Sequence, residues 1–236
     1  MCVKRCELVK PLLSRTYSTM SAILKSVESF PRLSVRSLAS FTRLRGVEQQ
    51  KLLHGQKFPR QAPQVFMQPY YGPPLKGIKS FLEIGITALV DARAEFQRMK
   101  QASRRLHCNR VLESFVRSDH AHRGLVPVSI PRYYASMRSL ELRLSPDLVA
   151  MDGDTRKFIY FNCKEAEADL AAVRLTLEFA HWLLSENGLQ IEPEQIEYID
   201  LFTNVLHTGR KVRKGTMREL EEHAKLIELI WPGLEP

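Results

Sequence analysis

Asp147, which follows Pro146, and Lys164, which closes the run Phe158-Ile159-Tyr160-Phe161-Asn162-Cys163-Lys164 seventeen residues later, are the residues whose types and spacing suit chemistry. An acid and an amine carried to one point on neighbouring strands can hold a hydrated divalent cation and an attacking water beside a phosphate. Hydrolysis of a phosphodiester at neutral pH needs that metal-bound hydroxide together with neutralisation of the charge that develops in the transition state. Two short antiparallel strands have to position the pair, one over 142–151 and one over 157–162, joined by the turn Asp152-Gly153-Asp154-Thr155. An Asp-Gly pair between two β-rich runs is a strong hairpin signal.

This layout resembles the PD-(D/E)XK nuclease-like superfamily, whose signature is a Pro-Asp on one strand and Asp/Glu-X-Lys on the next. Asp147 and Lys164 match that pattern, and Asn162 stands where the second acid belongs. The resemblance spans residues 105–208 and implies a restriction-endonuclease-like core that hydrolyses phosphodiester bonds in DNA or RNA with Mg²⁺ or Mn²⁺. It further implies Asp147 as metal ligand, Asn162 as a weak ligand, and Lys164 as the lysine that orients the water or steadies the developing charge. Glu113, on a helix before the sheet, becomes the candidate for an extra acid. Asn162 alters the balance, because an amide oxygen coordinates a cation without bringing negative charge. A unit charge pair near 4 Å at an effective dielectric of ~20 is worth about 4 kcal/mol before desolvation. Losing one carboxylate therefore weakens divalent-ion binding about a hundredfold or more, unless Glu113 or Glu165 restores it. Three readings follow: a metal-dependent nuclease whose second acid comes from elsewhere, a non-catalytic nucleic-acid-binding or assembly protein that keeps the fold, or a hairpin with no site.

The charge distribution bears on the partner. Residues 1–60 hold 12 Lys and Arg against 3 Glu, whereas residues 61–236 hold 23 of each sign, so the whole excess of +9 sits in the first quarter of the chain. A basic arm on a neutral body suits contact with the phosphates of DNA or RNA, and equally suits solubility or targeting. Hydrophobic content of 44% and charged content of 26% are those of an ordinary soluble globular protein. No apolar stretch approaches the roughly 18 residues of a membrane span, so no membrane partner is expected. Cys2 and Cys6 have a ligand-like gap but, with Cys108 and Cys163, no second pair or nearby histidines to close a metal site, and reduced thiols in the cytoplasm are the default. The acid-poor segment 1–19 also fits a mitochondrial presequence, or an extension upstream of a start at Met20. Phosphate-loop, dinucleotide, G-x-S-x-G and H-E-x-x-H signatures are absent.

The composition divides the chain into a basic helical extension over 1–56, a proline-rich connector over 57–74 and an α/β domain over 75–236. Within the extension, 34–53 reads as an amphipathic basic helix that either lies on phosphates or covers its own domain. Tyr70 and Tyr71 in the connector either stack on bases or anchor an extended segment. Ile78, Phe81, Leu82, Ile86, Leu89 and Val90 form one helical stripe, and a second helix covers 109–117. His107, His120 and His122 either read as surface histidines or, for the His120-Ala121-His122 spacing, could bind a metal from a strand or loop. A long apolar helix over 165–187, closed by Gly188, packs on the sheet and is followed by one or two strands over 196–207. The basic loop 208–215 is a second candidate phosphate contact, and a last helix covers 216–230 with Glu219 three residues after the Thr216 cap. The expected architecture is α+β: a mixed sheet of four or five strands flanked by helices.

Overall fold

The computed structural model describes residues 30–59, 71–129 and 132–235. The presequence-like segment, Cys2, Cys6, Tyr70 and most of the connector lie outside the described residues. Residues Pro31–Pro236 form one compact unit.

Eight strands and seven α-helices are present among the described residues. In chain order they are β1 (Arg32–Ser34), α1 (Val35–Arg43), α2 (Val47–Lys57), α3 (Gly72–Ile84), α4 (Thr87–Gln97) and α5 (Ala102–Arg117). Then come β2 (Val126–Pro127), β3 (Tyr134–Met137), β4 (Leu140–Arg143), β5 (Leu148–Asp152), β6 (Thr155–Asn162), α6 (Leu170–Glu186), β7 (Ile196–Asp200), β8 (Val205–Thr208) and α7 (Lys214–Ile230). The architecture is α+β. Its main sheet is mixed and five-stranded, in the order β2-β5-β6-β7-β8, and a second sheet has the order β1-β4-β3.

The hairpin expected around Gly153 is present. β5 and β6 pair antiparallel from Leu148 opposite Ile159 to Asp152 opposite Thr155. Gly153 takes φ +59°, a conformation that a residue without a Cβ adopts at little cost. The run 142–151 is not one strand, however. Leu142 belongs to β4 in the small sheet, and the chain leaves that sheet at Leu144 before β5 begins. β6 then crosses through α6 to pair parallel with β7.

Side chains alternate along β6, so its two faces feed two cores. Phe158 and Tyr160 face the core made with α1, α6 and α7. Ile159, Phe161 and Cys163 face the core made with Ile78, Val111, Leu112 and Phe115 from α3 and α5. The helix at 165–187 is shorter than its apolar pattern suggested. It starts at Leu170, because the Asp169 side chain accepts the N–H groups of Ala171 and Ala172 at 2.9 and 3.3 Å and so caps it there.

The first helix is core rather than a detachable arm. Val35, Leu38, Ala39 and Phe41 are fully buried, and burying each large apolar side chain contributes about 1.5–3 kcal/mol. Its arginines are paired as well, Arg36 with Asp147 and Arg43 with Asp169, as is Arg32 of β1 with Glu141. Residues 31–56 therefore belong to the same compact unit as the rest, by apolar contact on one side and ion pairs on the other.

Three smaller expectations are corrected. Pro73 and Pro74 stand in the first turn of α3, where a missing N–H breaks no helical bond. Gly85 ends α3 and re-aims the next helix, which leaves Ile86 and Val90 75% and 69% exposed, off the apolar stripe. α7 begins at Lys214 with Arg213 as its cap residue, so Thr216 lies inside the helix and not at its cap. No described helix is long and apolar enough to cross a membrane.

His120 is 6% exposed, not a surface residue, and neither ring nitrogen has a hydrogen-bond partner among the described residues. Burial and then the nearby Arg123 guanidinium hold its pKa below the ordinary histidine value, against Glu197 and Asp119. His223, packed edge-on to Phe41, is likewise lowered by burial against Glu219 and Glu222. Both rings therefore take up protons more readily once unfolded than in the fold. Their effect on stability is absent well above the unfolded value of about 6.5 and becomes a growing loss as pH falls through it. Urea unfolding at pH 7.5, 6.5 and 5.5 is expected to give a falling midpoint, with the slope reduced in His120→Phe. A midpoint that does not change over that range contradicts the assignment.

Candidate functional site

Asp147 stands immediately before β5. Its backbone N–H donates to the Ile159 carbonyl at 2.9 Å, next to the first pair of the β5–β6 ladder, Leu148 opposite Ile159. The carboxylate accepts the Phe161 N–H at 2.7 Å. It also accepts two bonds from the Arg36 guanidinium, one at 2.5 Å and a longer one at 3.4 Å. Charge-assisted bonds of this fork type combine strength with a fixed geometry. The Arg36 side chain is 33% exposed and that of Asp147 13%.

Two tyrosines flank the guanidinium. The Arg36 Cζ lies 5.0 Å from the Tyr160 ring centroid and 5.8 Å from that of Tyr198. Burial works against the arginine's charge, but Asp147 and the two tyrosines outweigh it, and the pKa of Arg36 is raised. Burial, opposed by Arg36 and assisted by Asp147, raises that of the Tyr160 hydroxyl. Cys163, on the other face, is raised by burial and then by Asp147, which leaves an inert thiol.

Asn162 closes β6 opposite Asp200, the last residue of β7. Its amide nitrogen donates to Asp200 Oδ2 and to the Ala166 carbonyl, both at 2.9 Å, and its Oδ1 accepts the Lys164 N–H at 3.1 Å. Asp200 Oδ1 in turn accepts the N–H groups of Phe202 and Thr203 at 3.0 and 3.2 Å. Both side chains are buried. Sequence reasoning missed Asp200. Its signal is an acid at the carboxyl end of an apolar strand, which acquires meaning only once β7 is known to lie beside β6 in this register.

The other expected site residues are dispersed. Lys164 lies exposed beyond the end of β6, with its backbone tied to Asn162. Glu113 is carried by α5, whose Val111, Leu112 and Phe115 pack on the opposite side of the sheet, and it pairs with Arg93 at 3.5 Å and Arg117 at 3.9 Å. Glu165 is held by Arg110 at 2.8 and 2.9 Å and faces His107 at 3.6 Å. Thus Asp147 and Asn162 share a sheet face with Asp200, and Glu113 does not join them.

The donor set as arranged does not fit a divalent cation. Asp147 Oδ2 accepts both a guanidinium N–H and the Phe161 N–H, its Oδ1 faces the same guanidinium at 3.4 Å, and the amide oxygen of Asn162 accepts the Lys164 N–H. Among the described residues no group of three or more His, Cys, Asp or Glu side chains is placed to hold a metal. The positive charge beside the acid is supplied by Arg36.

A cleft of about 280 Å³ opens on this acid at the β2–β5 side of the sheet, with Lys79 of α3, Arg132, Leu144, Ser145 and Asp147 in its lining. Lys79 makes a loose pair with Glu83 at 3.8 Å, one turn along the helix. Comparison of the chain with protein-family models, with curated proteins and with solved structures finds no match.

Asn162 and Asp200 supply a direct test of this geometry. Asn162→Asp sets a second carboxylate against a buried one, and two such groups do not both ionise without penalty. The variant is expected to lose at least ~2 kcal/mol of stability at pH 7.5 and to recover part of it at pH 5, measured by urea unfolding. A variant as stable as the parent at pH 7.5 contradicts the contact.

Proposed function

We propose that this chain is a non-catalytic nucleic-acid-binding protein of nuclease-like architecture. In this reading, the β5–β6 hairpin and the β6–α6–β7 crossover are a restriction-endonuclease-like core related to the PD-(D/E)XK superfamily, placed in the cytoplasm. The observation that carries it is the commitment of the acid: Asp147 is neutralised by Arg36 and by the Phe161 N–H, so it holds α1 in place and does not wait for an ion. Asn162 supports the same reading, because both its N–H donors are committed to Asp200 and Ala166 and its oxygen accepts the Lys164 N–H. Exposed cations are available for phosphates at Lys164 and at Arg210, Lys211 and Lys214. The basic residues of α1 contribute less, since Arg36 and Arg43 are already paired with acids.

A second reading keeps the nuclease. It is favoured by the cleft, whose lining includes Lys79 and Arg132 together with the acid that the PD-(D/E)XK resemblance makes a Mg²⁺ or Mn²⁺ ligand. On that reading the ion displaces Arg36 from Asp147, and Lys164 serves the water.

One experiment separates the two. The purified full chain is incubated with supercoiled, linear and single-stranded substrates plus Mn²⁺, and binding of a labelled oligonucleotide is followed by anisotropy. The expected result is no cleavage, with affinity falling roughly a hundredfold between about 50 and 200 mM salt, the loss for about four neutralised phosphates. Cleavage that disappears in Asp147→Asn and Lys164→Ala establishes the nuclease instead. Absence of both cleavage and binding overturns the nucleic-acid reading altogether.

A further inference from the structure

We propose that the cleft beside Pro146-Asp147 is an anion site, which takes one phosphate group of a nucleotide or of a polynucleotide backbone directly on Lys79 and Arg132. The inference rests on the nucleic-acid reading and gives it a place on the molecule. Arg132 and Lys79 bring complementary chemistry to a phosphate, a planar fork of donors and a compact point charge. Ser145 adds a hydroxyl that donates as readily as it accepts. Val128 and Leu144 form an apolar wall on which a sugar can rest. A volume of about 280 Å³ lies just under the ~300–1,000 Å³ of pockets that enclose drug-sized ligands. One phosphorylated unit fits this size, whereas a duplex does not enter.

The difficulty for an anion here is Asp147, a carboxylate in the same lining. Arg36 removes it. The guanidinium approaches from α1 and makes its bonds to both carboxylate oxygens, so the acid and its partner together carry no net charge. Lys79 and Arg132 then set the sign of the cleft, with Glu83 the counter-charge near Lys79. The pair that prevents metal binding as arranged thereby makes the cleft receptive to phosphate. Asp147 is a positioning residue in this scheme and contributes no attraction of its own.

That logic predicts an outcome opposite to that for a metal ligand. Thermal unfolding of the full chain is followed with inorganic phosphate, with thymidine 5′-monophosphate and with a short oligothymidylate, each against chloride of equal ionic strength. Phosphate and the nucleotide are expected to raise Tm of the parent, and Lys79→Ala with Arg132→Ala to weaken their apparent affinity at least about tenfold. Asp147→Asn is expected to bind phosphate as tightly as the parent or tighter. Arg36→Gln is expected to bind it less well, with affinity restored in Arg36→Gln/Asp147→Asn, where neither charge remains.

Equal protection of the parent and the Lys79/Arg132 variant overturns the assignment, as does loss of binding in Asp147→Asn. If the oligonucleotide binds both proteins equally and phosphate protects neither, the cleft is not the site and the nucleic-acid reading stands. If phosphate protects through Lys79 and Arg132 and no oligonucleotide binds, the cleft assignment is upheld for free phosphorylated compounds and the nucleic-acid reading falls.

Discussion

The ion pair between Arg36 and Asp147 joins two segments 111 residues apart and determines the character of the surface around it. On one side it fastens α1, whose Val35, Leu38 and Phe41 complete the core under β6. On the other it cancels the acid that lines the cleft. The tyrosines at 160 and 198 sit within cation–π range of the guanidinium and restrict where it can go. An acid at the beginning of β5 would otherwise face a half-buried setting with one backbone N–H for company.

Ion pairing also meets two of the buried acids among the described residues, Glu197 and Glu178. Glu197 is held by Arg123 at 2.7 Å and Lys157 at 3.0 Å, and Arg123 also reaches Asp152. Glu178, inside α6, is met by Arg213 at 3.1 Å. Asp200 pairs with no cation among the described residues and relies on three N–H donors instead. Removing one partner from any such group leaves a desolvated charge, which costs far more than the pair itself contributes. Cations that appear in the sequence as a basic excess are in the fold partly the counterparts of these acids. Arg36 serves the largely buried Asp147 in this way, whereas Arg32 and Arg43 pair with the more exposed Glu141 and Asp169.

What was legible in the sequence was local. The Gly153 hairpin, the apolar helix ending at Gly188 and the helix at the carboxyl end all depend on patterns within some twenty residues, and periodicity records those directly. The division of 142–151 between two sheets was not legible, because β-rich composition does not say which neighbour a strand pairs with. The engagement of Asp147 and Asn162 was hidden for the same reason. Their partners, Arg36 and Asp200, lie on other elements, and nothing near Pro146 in the chain points to either. Basic residues at 32, 36 and 43 are open to either reading, a phosphate-facing surface or a helix covering its own domain, until the acids opposite them are known. Glu113 was misplaced by one fact that the sequence does not hold, the side of the sheet on which α5 packs.

The account depends on Arg36 and Asp147 acting as a unit, and a double-mutant cycle measures that most directly. Urea unfolding of the parent, Arg36→Met, Asp147→Asn and the double variant gives the coupling free energy between the two side chains. Coupling above ~1 kcal/mol, with the double variant less destabilised than the sum of the single changes, is the predicted result. Effects that add to within ~0.3–0.5 kcal/mol would contradict it, since the acid would then be independent of the arginine said to hold it.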